Sequence, residues 1–161
     1  MTVVRCVPPT PGIVGYIRAS TEEQDTSGLG LEAQRAAILA EAERRGIPLA
    51  ATFQDATVPG WQMAERPGIQ AAIAALNEGR GTILVAKSLD RLVSSLAELV
   101  DLLSDAQRHG WRVATLDLAV DTTTPMGEAM VSIAGTFAQL ESRMIGERIR
   151  EALAAKKARG E

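Results

Sequence analysis

The stretch GIVGYIRASTEEQ, residues 12–24, decides how the rest of the chain is read. Its apolar, β-favouring run at 13–17 gives way at once to Arg18, Ser20 and Thr21. A short apolar run bounded by polar loop residues is the pattern of a strand buried on both faces. Three later runs share it: LAATF at 49–53, TILVA at 82–86 and RVATL at 112–116. Helical patterns fill the gaps. One runs from about Leu31 to Arg45 and is closed by Gly46 and Pro48, and a second spans Pro67 to Asn77 with Gly79 after its end. A third carries Leu92, Leu96, Leu99, Leu103 and Ala106 and stops at Gly110. Alternation of this kind predicts an α/β fold, a mainly parallel sheet of about four to five strands flanked by helices.

The last helix breaks the alternation. From Thr124 as N-cap and Pro125 in the first helical position, nothing stops it before about Arg159. At about 1.5 Å per residue such a helix reaches about 50 Å, whereas a compact domain of this size has a radius of gyration of about 15 Å. It must therefore project. Met126, Met130, Ile133, Phe137, Leu140 and Met144 recur at spacings of four and three. One apolar stripe thus runs past the reach of its own domain, and a second subunit is its natural cover. The competing reading packs the stripe on its own sheet and leaves the tail frayed. The organisation expected is a proline-bearing flexible leader over 1–12, an α/β core over 13–122 and a long helix over 123–161.

Composition narrows the function classes. With 161 residues and 46% hydrophobic content the chain suits one domain. A formal charge of -3 argues against a surface that is wholly a nucleic-acid footprint. The charge is uneven, however, because residues 141–161 hold six Lys or Arg against four Glu, so the tail is basic and the body acidic. One cysteine, Cys6, rules out a disulfide framework, and one histidine, His109, rules out a metal site of several imidazoles. Neither a secretory signal nor a membrane span of about 20 apolar residues is visible, which points to the cytoplasm.

In open parallel sheets ligands sit beyond the carboxyl ends of the strands. Those positions hold Arg18, Ser20 and Thr21 after the first strand, Asp55 and then Arg66 after the second, and Lys87, Asp90 and Arg91 after the third. A serine among arginines, with neither a GxxxxGK loop nor a GxGxxG turn, points to covalent attack on an anion. The arginines would clamp a phosphate and stabilise the charge that grows on its nonbridging oxygens, an effect of about 3 kcal/mol per well-placed donor. Each residue alone has an ordinary explanation: Ser20 as a turn residue, the arginines as surface ion pairs, Asp90 as a helix cap. Their convergence at three strand ends carries the chemical reading.

GYIRASTEEQ resembles the Y-x-R-x-S-x-x-x-Q signature of the serine site-specific recombinases, the resolvase/invertase family. GLGLEAQRAAI, DATVPGWQMAERPGIQAAI, ILVAKSLDRL and TPMGEAMVSIAGTFAQLESRMIGERIREALAAKKARG resemble its later blocks in the same order. The resemblance implies Ser20 as the nucleophile on a DNA phosphodiester, giving a 5′-phosphoserine and a free 3′-hydroxyl with no metal or other cofactor. It implies phosphate-contacting roles for Arg18, Arg66 and Arg91, proton transfer or orientation of Arg91 for Asp90, and a supporting role for Gln34. Tyr16, Gln24, Asp55, Lys87 and Glu141 match further positions around the site. It makes the long helix, through Met130, Ile133, Phe137, Leu140 and Met144, a dimerisation helix, with double-stranded DNA as partner and a homodimer that pairs into a tetramer.

Three positions depart from the pattern: Ser94 stands where a second arginine is usual, Pro59-Gly60 where Ser-Gly is usual, and Ser142 where an arginine often follows the helix glutamate. Nothing in the sequence, which reads AKKARGE at its end, resembles a groove-reading module, so sequence-specific DNA recognition is expected outside this chain. Two rival readings stay open, a catalytically impaired interaction or synapsis module and a flavodoxin-like or receiver-like ligand-binding domain.

Overall fold

A computed structural model of the chain describes residues 11–19, 29–56, 62–117 and 119–158. The opening run forms β1 (Ile13–Arg18), buried throughout except at Arg18. There follow α1 (Leu29–Arg45), β2 (Leu49–Asp55), a 3-10 turn (Met63–Glu65), α2 (Pro67–Asn77), β3 (Ile83–Ala86), a single-turn α3 (Leu89–Leu92), α4 (Leu96–His109), β4 (Arg112–Thr115) and α5 (Pro125–Ala158). The strands form one sheet in the order β2-β1-β3-β4, and every pair in it is parallel. The chain winds from β1 to one edge, then returns past β1 to β3. The direction reverses between β1 and β3, so a crevice opens beyond their carboxyl ends.

Strand alternation divides the core in two. Val14, Tyr16, Leu84, Ala86 and Val113 pack with Ile69, Leu76, Leu102 and Leu103 of α2 and α4. Ile13, Ile17, Ile83, Val85 and Ala114 pack with Ile38 and Ala42 of α1. Gly15 lets α1 sit close on this second face, since a Cβ there would stand 3.1 Å from Ile38 Cγ2 and require the side chain to give by a few tenths of an ångström.

Two sequence expectations need correction. The leader read over 1–12 runs one residue too far, because Gly12 is buried and its carbonyl accepts from the Thr82 N–H at 2.8 Å, joining the sheet end; residues 1–10 lie outside the described set. The third helix is two helices. The chain leaves α3 at Val93 in an extended conformation, and Ser95 caps α4 by accepting from the Glu98 N–H. Adjacent serines at 94 and 95 supply that break, since serine caps helices better than it continues them. In consequence Leu92 is fully buried while Leu96 is 64% exposed, and Asp90 caps neither helix. Gly110 ends α4 in the left-handed region at φ 79.

Helix α5 starts as its sequence predicts. Thr124 Oγ1 accepts from the Gly127 N–H at 3.1 Å. Gly127 is required there, for a Cβ would stand 1.8 Å from the Asp121 carbonyl oxygen. Arg45, at the end of α1, donates to Asp121 Oδ2 at 2.8 Å and to Thr123 Oγ1 at 3.1 Å, which ties the start of α5 to the opposite layer. Its 34 residues make α5 about 51 Å long. Val131 packs on the core, but Met130, Ile133, Leu140 and Met144 are all exposed, as are Ile145, Ile149 and Leu153 further along. The last three were not part of the predicted stripe. The side chain of Phe137 lies outside the described set. No helix among the described residues is long and apolar enough to cross a membrane.

Candidate active site

Arg18 is the last residue of β1, in register with Asp55 of β2. Its peptide is held from both sides by Gln34, a buried residue of α1, whose Nε2 donates to Arg18 O at 3.1 Å and whose Oε1 accepts from Arg18 N at 3.4 Å. One amide side chain offers a donor and an acceptor together, which serves both backbone groups of a residue at a strand end. The Arg18 guanidinium crosses to the β3 side, where Nη2 donates to Asp90 O at 2.8 Å. Its buried Nε has no hydrogen-bond partner among the described residues. Burial, then the positive charge of Arg66, hold its pKa below the ordinary arginine value.

Arg66, read from the sequence as a phosphate contact, is buried and bonded to backbone in this structure. It is 1% exposed, and its guanidinium donates to Arg91 O at 2.8 Å and to Leu92 O. A helix as short as α3 leaves its last carbonyls without helical partners, and the planar fork of an arginine suits two of them at once. Arg18 takes the Asp90 carbonyl, so two arginines bind three successive carbonyls of α3. The Arg66 guanidinium also lies 5.9 Å from the Tyr16 ring centroid.

Tyr16 and Asp55 turn inward. The Tyr16 hydroxyl donates to Asp55 Oδ2 at 2.8 Å. Burial first, then the adjoining carboxylate, push its pKa above the ordinary tyrosine value, so it remains a neutral donor. Asp55 accepts from the backbone N–H groups of Gly68 at 2.6 Å and Ile69 at 2.9 Å, satisfying the first turn of α2. Only glycine fits at 68, because a Cβ would stand 2.5 Å from Gln54 O. Both side chains thus hold α2, and with it Arg66, rather than reaching the crevice.

Across the crevice, Arg91 is 9% exposed, and its Nε lies 3.8 Å from Asp90 Oδ2. The Asp90 carboxylate is 69% exposed and accepts from Ser88 Oγ. Lys87 is exposed at the end of β3. Ser94 is also exposed, and its N–H donates to Glu98 Oε2 at 2.6 Å. Sequence reading missed Glu98, although the S-x-x-E spacing of residues 95–98 marked it as a capping residue. Ser20 and Gln24 lie outside the described residues, as do Pro59-Gly60 and the side chains of Glu141 and Ser142. Among the described residues no group of three or more His, Cys, Asp or Glu side chains is arranged to hold a metal ion.

The fold is thus a four-stranded parallel α/β sheet with Arg18 ending β1 and Arg91 on the α3 turn beyond β3. A family model, the resolvase N-terminal domain, matches residues 13–161. Over 148 residues the chain is 36% identical to a DNA-invertase of Escherichia phage P1, covering 92% of this chain and 72% of that protein. It is 33% identical to the DNA-invertase Hin of Salmonella typhimurium, covering 91% of this chain and 70% of that one. Its fold is similar to the N-terminal catalytic domain of TP901-1 integrase, with a TM-score of 0.71 and 25% identity over 83% of this chain and 98% of that one. A resolvase family site-specific recombinase from Streptococcus pneumoniae shares the fold at a TM-score of 0.66 and 21% identity, over 92% of this chain and 99% of that one. The chain belongs to the resolvase family of serine recombinases, enzymes of DNA strand exchange.

Proposed function

We propose that this domain cuts and rejoins double-stranded DNA in site-specific recombination, with Ser20 Oγ as the nucleophile. The observation that carries the reading is the pair of arginines across the crevice. Arg18, two residues before Ser20, keeps a buried Nε without a partner among the described residues, and Arg91 stands on α3, whose Asp90 carbonyl Arg18 binds. In the step proposed, the Oγ–P bond forms as the P–O3′ bond breaks. The serine proton passes to a base and the departing 3′ oxygen takes up a proton. The phosphoserine keeps the energy of the phosphodiester, so a 3′-hydroxyl from another strand can reverse the reaction without a nucleotide. Arg18 and Arg91 stabilise the charge that grows on the nonbridging oxygens. Asp90, beside Arg91 and open to solvent, orients that guanidinium or carries a proton. The exposed apolar side chains of α5 support a homodimer that pairs into a tetramer on DNA in the cytoplasm.

A second reading, a catalytically impaired synapsis module, draws on Ser94, an exposed hydroxyl where the family usually places an arginine. The test joins the chain to a DNA-binding domain of known target and offers duplexes nicked near the crossover. A covalent adduct at the 5′ end, lost in Ser20→Ala, is the expected result. No adduct despite intact DNA binding would favour the impaired module and make Ser94→Arg the next variant.

A further inference from the structure

Two of the segments flanking the crevice meet through one carboxylate. Glu98 Oε1 accepts from the Met63 N–H and Oε2 from the Ser94 N–H, each at 2.6 Å. Met63 opens the 3-10 turn that leads into Arg66, and Ser94 follows Arg91 by three residues. Helix capping alone does not account for both of these bonds. A glutamate three residues after a serine cap ordinarily returns to the N–H of the cap residue itself, here Ser95. Glu98 feels the Ser95 N–H as well, but its short bonds run past the cap to Ser94 and, with its other oxygen, to a segment 35 residues earlier.

The neighbouring link has the opposite charge. Arg66 binds the carbonyls of Arg91 and Leu92, so the 63–66 segment is joined to the 91–94 segment by a cation at one end and an anion at the other. Burial alone would raise the pKa of Glu98. The N–H groups of Met63 and Ser94, with the charge of Arg66, outweigh it and hold the carboxyl below its ordinary value, so it is ionised when both bonds are made.

We infer that Glu98 is a positioning residue of the strand-cleavage site, clasping Met63 and Ser94 so that the segment bearing Arg91 is held at the distance at which its guanidinium meets the scissile phosphate. The inference rests on the recombinase reading above. Glu98 acts through the backbone and touches no DNA. Glu98→Gln keeps the shape but turns an NH2 toward one of the two N–H groups, and Glu98→Asp keeps the charge but is one methylene too short to reach both.

The experiment measures three things in the chimaera with both variants: the single-turnover rate of adduct formation at saturating protein, DNA affinity and thermal midpoint. Amide exchange at Met63 and Ser94 is followed in the full 161-residue chain. The expected result is adduct formation slowed about 10- to 100-fold in both variants, the cost of a small misplacement of a catalytic group. DNA affinity should hold, and faster exchange should be confined to Met63 and Ser94. A wild-type adduct rate in Glu98→Gln overturns the inference while leaving the recombinase reading intact. A loss of DNA affinity with faster exchange throughout β1 and β3 also overturns it, since Glu98 would then serve the fold as a whole. No adduct from the unmodified chain sinks the recombinase reading, and this inference with it.

Discussion

At the carboxyl edge of the sheet Arg66 is 1% exposed and its guanidinium is bound to two backbone carbonyls, whereas along α5 Ile133 is 57% exposed and Leu140 52%. The two regions meet opposite problems. Buried charge is tolerable when most of its hydrogen bonds are made, and backbone carbonyls take both terminal nitrogens of Arg66, leaving its buried Nε without a partner among the described residues. Exposed leucine and isoleucine forgo about 1.5–3 kcal/mol each relative to burial. The carboxyl edge of the sheet therefore satisfies Arg66 from within the chain, while the long helix leaves large apolar side chains exposed.

The largest expected effect comes from breaking the first region. Arg66→Ala leaves the Arg91 and Leu92 carbonyls buried without donors and opens a cavity, so unfolding free energy should fall by about 3–5 kcal/mol, read from urea denaturation. Arg66→Lys should recover little of this, because an ammonium is a point charge and cannot match the two-pronged geometry. A stability equal to the parent in Arg66→Ala would mean that α3 keeps its position by other contacts.

The second test addresses α5. Ile133→Glu should weaken self-association by about 2 kcal/mol or more, the scale of one buried aliphatic side chain, measured by sedimentation equilibrium. The stability of the separated chain should change by no more than about 0.5 kcal/mol, as for other exposed positions. Unchanged association would place the contact surface elsewhere, with Ile145, Ile149 and Leu153 next to be tested.

The smallest effect is expected where the two regions are tied together, at the end of α1. Glu41 accepts from Arg44 and Arg45, and Arg45 continues to Asp121 at the root of α5. The hydrogen bond from Arg44 is the largest influence that lowers the Glu41 pKa, from 4.5 to about 2. A carboxyl depressed on folding contributes stability that is present above its ordinary value of 4.5 and is lost as pH falls toward about 2. Solvent screening limits the contribution to no more than about 1 kcal/mol. Glu41→Gln should flatten the decline of stability across that acid range, and an unchanged acid profile would show that the ion pairs do not couple to folding.

Much of the architecture was legible before any coordinates. Four apolar runs became the four strands, and Thr124 and Pro125 marked the start of α5. The serine pair that splits α3 from α4 was visible too, but the four-three spacing from Leu92 to Ala106 hid it. In the candidate site, the sequence identified which polar residues follow the strands and left open which of them bind a ligand and which brace the loops. Gln34, Asp55 and Arg66 form their key bonds with backbone groups of other elements. A backbone carbonyl or N–H is the same in every residue and carries no sequence signature. Glu98 was missed for the same reason, since its partners are the amides of Met63 and Ser94.

By itself, then, the sequence determined the periodicities, and with them the parallel sheet and the start of the last helix, because burial and chain geometry act locally and repeat. Only the tertiary structure decided that Arg18 binds the Asp90 carbonyl while Arg66, buried, binds those of Arg91 and Leu92. That division depends on which backbone groups the folded chain leaves unsatisfied, and those are set by how distant segments come together.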